Sequence, residues 1–390
     1  MKYIIFISHP IQYFTPLFAQ MEKKKVLTEV WYGSRHGIDK ILDKEFNTTF
    51  SWDIDLLQGY ISRFLSNWSL KPGPYGFWGI VNPGVIKLLF SQEKSIILIH
   101  GWSYFTNWII ILFAPLLGHR LALKAETPQV HENQRSGFLF KSSRFLLKWL
   151  LFKRLDEAHY IGSQNKLFYT EMGVPEEKLI FTPYSVDNDR FKSQAQNLIG
   201  EKLNLREKYS IPNAKRVFIF SGKYIHKKRP MDLLKAIQLL SEKDIKNSYF
   251  IFMGEGKLRI EMEDFIQQEK LKNVLLTGFI NQSSVADFYA LSDIFIMCSG
   301  LGETWGLSTN EAMNFGLPVI LSDLTGSSYD LIDGNGYQFE TRNIEELSSV
   351  ISKMIQLENS EIINYGEKSR ELVSKYTYDV IVTSLKISLE

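Results

Sequence analysis

The chain has 390 residues, too many for one hydrophobic core and enough for two domains. Hydrophobic residues make up 45% and charged residues 23%, the balance of an ordinary globular protein, and a formal net charge of +2 gives no electrostatic case for a nucleic-acid partner. The single cysteine, Cys298, excludes an intrachain disulfide framework, fits a reducing cytoplasm and, inside an apolar run, reads as a small hydrophobe rather than a nucleophile.

Lys2 is followed by a short apolar run, Tyr3 to Ile7, too brief for a secretory signal core and better read as a first buried strand. Short apolar runs then alternate with helical patterns, as βαβ units do. The first half predicts strands near 2–8, 26–32, 96–100, 120–125, 157–161 and 178–182, and helices near 12–22, 82–90, 103–118, 136–154 and 163–172. Residues 43–80 read as irregular, rich in Trp, Gly and Pro, and suit an acceptor-site insertion. Asp53-Ile54-Asp55 in that region is a chance-level metal triplet, and no cluster at metal-ligand spacing is evident. Asn47-Thr48-Thr49 and Asn67-Trp68-Ser69 have the glycosylation pattern, which means little in a cytoplasmic chain. The longest apolar stretch, Trp108 to Gly118, is well short of a membrane span.

Phe138 to Leu155 is basic and apolar, with Lys141, Arg144, Lys148, Lys153 and Arg154 among Phe, Leu and Trp149. It reads either as a peripheral contact with an anionic membrane or as an amphipathic helix covering the sheet, and the pattern favours the covering helix. A polar stretch at 187–214, with little apolar periodicity, separates the halves. The second half predicts strands at 216–221, 248–253, 273–277, 293–298, 317–322 and 336–339, with helices at 230–241, 256–269, 283–291, 308–315, 343–357 and 360–374. The last segment, Tyr376 to Leu389, is amphipathic.

The chemistry gathers at Gly302-Glu303-Thr304-Trp305-Gly306-Leu307-Ser308 and the helix that follows, which Gly316 and Pro318 terminate. A strand, a glycine loop and a helix N-terminus form the layout that binds phosphate in open α/β sheets. Glu303 and Glu311 bracket it, and one reading is that a nucleotide-sugar spans the gap with ribose on Glu311, diphosphate on the Gly306–Ser308 amides and sugar hydroxyls on Glu303. The plainer reading is that Ser308 and Glu311 form a capping box and Glu303 is a solvated loop carboxylate. Lys223 and Lys228 lie five apart in the loop Ser221 to Pro230, placed to neutralise a departing diphosphate, or simply to sit in water.

Glu-x-(aromatic)-Gly-Leu-x-x-x-Glu-Ala-Met-x-x-Gly-x-Pro-Val-Ile, from Glu303 to Ile320, resembles the donor-site motif of the retaining, glycogen-synthase-like glycosyltransferases of family 4. The resemblance implies an α/β chain of the GT-B fold, two doubly wound Rossmann-like domains facing across a cleft. It divides the chain into an acceptor-side domain at 1–187 and a donor domain at 188–375, with the helix 376–390 packing back on the first. It implies a metal-independent transferase with no cofactor, which moves sugar from a nucleotide-diphosphate sugar to a glycan or lipid-linked acceptor with retention. A role in cell-surface polysaccharide synthesis, in the cytoplasm or at the inner membrane face, follows by the same analogy.

Carried over residue by residue, it makes Lys223, Lys228 and Glu303 catalytic. Gly222, Gly254, Glu255, Phe279, Thr304, Gly306, Leu307, Ser308 and Glu311 are donor-binding, and His9, Gln12 and Glu126 lie on the acceptor side. Four places depart from the family. Lys223 replaces the commoner Arg and cannot fork onto phosphate. Ser8-His9-Pro10 stands where many members have a glycine-rich loop. Glu126 stands where several relatives have a histidine, and His131 nearby is a substitute for it. His100, before Gly101, reads as structural, and Tyr184-Ser185 alters the family's hinge turn. The rival assignments are a sugar-nucleotide 2-epimerase of the same fold and a non-catalytic sugar-nucleotide-binding subunit.

Overall fold

The computed structural model describes residues 1–38, 41–43, 48–50, 55–212 and 215–390, with backbone alone for 41–43 and 48–50. Asn47 of the first glycosylation triplet and Asp53 and Ile54 of the metal triplet lie outside the described residues. The strands are β1 (Tyr3–Ile7), β2 (Leu27–Tyr32), β3 (Ile41–Asp43), β4 (Thr48–Phe50), β5 (Ser62–Phe64), β6 (Ile96–His100), β7 (Arg120–Lys124), β8 (Glu157–Tyr160) and β9 (Leu179–Phe181) in the first half. The second half holds β10 (Arg216–Ser221), β11 (Ser248–Met253), β12 (Val274–Gly278), β13 (Ile294–Met297), β14 (Val319–Ser322) and β15 (Gly336–Phe339).

Two parallel sheets result, ordered β5-β2-β1-β6-β7-β8-β9 and β12-β11-β10-β13-β14-β15, with β3 and β4 forming a small separate pair. Their strands are continuous runs of β-branched and aromatic residues because helices cover both faces, leaving neither in water. β1 shows how: Ile4 and Phe6 join one core with Ile97 and Ile99, whereas Tyr3, Ile5 and Ile7 join another with Ile96 and Leu98. In the second sheet Phe218 of β10 stacks on Phe250 of β11 at 4.8 Å. This is the two-sheet Rossmann-like architecture that the resemblance implies.

The chain divides into one unit of Met1–Ile41, Thr49–Tyr184 and Tyr378–Glu390 and a second made principally of Ser185–Thr377. The final helix, Tyr378–Ile387, buries Tyr378, Ile381, Val382 and Leu385 in a first-unit core. Tyr3 Oη and Ser388 Oγ lie 2.6 Å apart, and Tyr378 Oη donates to the Tyr13 carbonyl at 2.9 Å.

The structure differs from the sequence reading in three places. Region 43–80 is not wholly irregular, since β5 adds an edge strand parallel to β2. The polar stretch 187–214 holds two helices, Asn188–Asn197 and Lys202–Lys208. Their few apolar residues suffice because Phe191 and Leu205 are buried and the Asp187 carboxylate caps the Arg190 amide at 3.0 Å. The helix Phe138–Leu150 packs on the first-unit core through Leu147 but buries none of its residues completely, a narrower cover than the reading expects.

Candidate active site

Each sheet reverses its strand order once, between β1 and β6 and between β10 and β13. Open α/β sheets bind ligands at the carboxyl ends of the strands beside such a reversal. In the second unit the loops leaving β10 and β13 carry the residues that the sequence singled out.

Lys228 Nζ lies 2.5 Å from Glu303 Oε2. Burial would raise the Glu303 carboxyl, but the charges of Lys228 and Lys227 and the adjacent Ser299 hydroxyl hold it below its ordinary value. Glu303 is therefore a buried carboxylate in an ion pair, not a solvated loop residue. Its main chain is fixed as well. The Glu303 carbonyl accepts from Gly326 N at 3.1 Å, and Gly300 N donates to the Lys227 carbonyl at 2.8 Å, joining the β10 and β13 loops. Lys223 lies partly buried in the same β10 loop.

Gly306 caps the helix Leu307–Asn314 with a φ of 95°. A Cβ there would stand 2.6 Å from Met297 Sδ, so both conformation and space demand glycine. The helix begins at Leu307, and Ser308 is not its cap: its hydroxyl donates to the Ser221 carbonyl at 3.2 Å. Glu311 is buried and accepts from Tyr289 Oη at 2.8 Å. The capping box is thus not formed, and Glu311 is held by a neighbouring helix instead. Trp305 is buried with its indole N–H on Asn310 at 2.8 Å, which leaves Thr304 and Leu307 partly exposed on either side of the Trp305-Gly306 turn.

Gly254 also needs its lack of a side chain, since a Cβ would lie 2.0 Å from the Gly222 carbonyl oxygen. Close approach of the β11 loop to the β10 loop is what this Gly-x-Gly encodes. Glu255 between the glycines pairs with Arg259 at 2.6 Å and accepts from Gly256 N at 3.0 Å. Phe279, just past β12, is 36% exposed. The sequence reading overlooked Lys227, Ser299, Tyr289 and Arg259. Only Lys227, inside a basic run next to Lys228, left a signal in the sequence; the others are recognisable by contact alone.

In the first unit His9 follows β1. Burial and then the nearby His36 ring push its imidazole down to about 4, and Ser8 Oγ lies 2.9 Å from its Nδ1. The Gln12 side-chain oxygen is buried with no hydrogen-bond partner among the described residues. Glu126 follows β7. Its carboxyl is pushed up by burial, against the opposing effects of a Tyr184 hydrogen bond and the Lys124 charge. Lys124 is itself lowered to about 8 by burial and donates to the Thr182 carbonyl and hydroxyl at 2.7 and 3.1 Å. His100 packs edge-on against Phe14 at 5.0 Å, in keeping with a structural role, and His131 is buried in the short helix Gln129–Asn133.

A parallel sheet of this strand order, with a glycine-capped helix and a lysine–carboxylate pair at its reversal, is a Rossmann-like half of the GT-B fold. Residues 201–377 match the family of glycosyl transferases group 1. Among curated relatives, the UDP-Gal:alpha-D-GlcNAc-diphosphoundecaprenol alpha-1,3-galactosyltransferase of Escherichia coli is 27% identical over 269 residues, 65% of this chain and 66% of that one. The glycogen synthase of Natranaerobius thermophilus is 24% identical over 305 residues, 69% of this chain and 60% of that one. The chain spans about half to two thirds of the length of the curated relatives it matches.

Solved structures share the fold along the whole chain. Anabaena HepE in complex with UDP and glucose aligns with a TM-score of 0.71 at 14% identity, covering 100% of this chain and 99% of that one. A glycosyltransferase from Rickettsia africae aligns with a TM-score of 0.75 at 14% identity, covering 100% and 97%.

Proposed function

We propose that this protein transfers a sugar from a nucleotide-diphosphate sugar to a hydroxyl of a glycan or lipid-linked acceptor, with retention of anomeric configuration. The observation that carries the reading is the Lys228–Glu303 pair at the ends of β10 and β13, in the loop that leads into the Gly306-capped helix. In this reading Lys223, Lys228 and the first amides of that helix stabilise the departing diphosphate, and no metal is required for that charge work. Glu303 holds the sugar hydroxyls and Glu311, oriented by Tyr289, holds the ribose. Gly222, Gly254 and Phe279 border the nucleotide. His9, Gln12 and Glu126 of the first unit meet the acceptor.

The UDP and glucose bound by HepE and the galactosyl transfer to a diphosphoundecaprenol-linked sugar named for the Escherichia coli relative support a UDP-sugar donor and a lipid-linked acceptor. The test is incubation with a panel of nucleotide-sugars, following nucleotide release by chromatography and the anomeric proton of the product by NMR. Release that depends on Lys228 and a product of retained configuration are expected. Nucleotide-sugars recovered unchanged, or a changed sugar still joined to its nucleotide, would overturn the proposal.

A further inference from the structure

The helix Phe138–Leu150 rests on the first unit by a narrow stripe and leaves most of its apolar side chains outside. Its inner stripe is Phe140, Arg144 and Leu147: Arg144 pairs with Glu132 at 2.8 Å and lies 4.6 Å over the Phe168 ring, while Leu147 packs on the first-unit core. Its outer face presents Phe138, Leu139, Phe145, Leu146, Trp149 and Leu150, with Phe138 and Leu139 more than 80% exposed. At 100° per residue those six side chains span about 140°, roughly two-fifths of the helix circumference, on the side away from Leu147 and Arg144. Six large apolar side chains on one free face of a 13-residue helix are an unpartnered surface, not scattered exposure.

The charge around this face selects what covers it. Lys141 and Lys148 flank it on one side, and Lys153 and Arg154 follow it, with Lys153 Nζ 3.2 Å over the Trp149 ring. Residues 133–155 contain no Asp or Glu. Two copies of this chain meeting through the face would bring like charges together in a low-dielectric contact. A bilayer with anionic headgroups matches both features: the apolar residues enter the acyl boundary and the cations meet the headgroups in the same plane. Trp149, beside the cation of Lys153, has the amphipathic character that favours the interface. No helix of the described residues is long and apolar enough to cross a membrane, so the contact is one of lying on the surface.

We infer that the outer face of Phe138–Leu150 is a docking surface for an anionic lipid bilayer. It lies on different elements from the donor site, so either reading can fail alone.

The test is flotation of the full chain with vesicles of phosphatidylcholine alone or of equal parts phosphatidylcholine and phosphatidylglycerol. The expected result is recovery with the anionic vesicles at least tenfold above the neutral ones, lost in 0.5 M salt. Phe145→Ser/Trp149→Ser and, separately, Lys141→Glu/Lys153→Glu should each lower that recovery at least tenfold, with unchanged circular dichroism and unchanged nucleotide release in solution. Either variant pair serves if the other misfolds. Equal recovery with both vesicles, no flotation at all, or a solution dimer that Trp149→Ser dissociates would each overturn the inference. Loss of nucleotide release with intact flotation would instead count against the proposed transferase.

Discussion

Replacing Glu303 by Gln separates its partnership with Lys228 from its proposed contact with the sugar. The Lys228 ammonium is engaged by Glu303 at 2.5 Å, so a diphosphate must compete with a buried carboxylate for it. At that separation the gross attraction is about 7 kcal/mol at an effective dielectric constant near 20. Most of it is offset by desolvation, and a hydrogen bond to a charged group nets about 1.5–3 kcal/mol. Gln keeps the shape and some hydrogen bonding, which places the gain at the lower end, about tenfold tighter binding. UDP is the right probe because it carries the diphosphate and lacks the sugar, so nothing is lost with the carboxylate. Isothermal titration should give UDP binding about tenfold tighter to Glu303→Gln than to wild type, while transfer from the nucleotide-sugar falls. In a Lys228→Met background the same change should leave UDP affinity untouched. Unchanged or weaker UDP binding by Glu303→Gln would refute the assignment of Lys228 to the diphosphate.

Three further outcomes follow from the geometry. Lys228→Met strands a buried carboxylate and should cost about 2–3 kcal/mol at pH 7, less than the full cost of breaking a buried pair because Lys227 remains nearby; since wild-type Glu303 is held low, its contribution is present above its unfolded value and lost as pH falls, whereas the variant's deficit should shrink toward pH 4, as urea unfolding at several pH values would show. Gly306→Ala forces a left-handed φ of 95° on a side chain aimed at Met297 and should lose about 2–4 kcal/mol in the same assay, a loss under about 0.5 kcal/mol contradicting the cap geometry. His9, lowered to about 4, should titrate there by NMR, and because its charged form is disfavoured in the fold the stability it confers is full above about pH 6.5 and declines as pH falls toward 4; His9→Asn should remove that decline.

Much of this was legible in sequence because parallel strands buried on both faces are continuous apolar runs, as in Tyr3-Ile4-Ile5-Phe6-Ile7, and glycine punctuates their ends. β5 escaped because Ser-Arg-Phe at a sheet edge carries no apolar run, and the helices of 188–208 escaped because capping and two buried side chains did the work of periodicity. At the site, spacing revealed Glu303, Glu311 and Lys228 but left their state open, because Ser308-x-x-Glu311 is equally a capping box. Contacts distant in sequence decide between the readings. Tyr289 takes the Glu311 carboxylate and Ser221 takes the Ser308 hydroxyl, and neither could be paired by counting along the chain.

The helix Phe138–Leu150 makes the same point from the other side. Its composition suited either a sheet cover or a lipid contact, because the apolar stripe is present in both and only the direction it faces differs. That direction is set by Arg144, whose hold on Glu132 and Phe168 points a charged residue inward and so turns Phe145 and Trp149 out. A guanidinium with a buried acidic partner can occupy the place of a core leucine, and a periodicity count that scores it as polar then assigns the helix the wrong face.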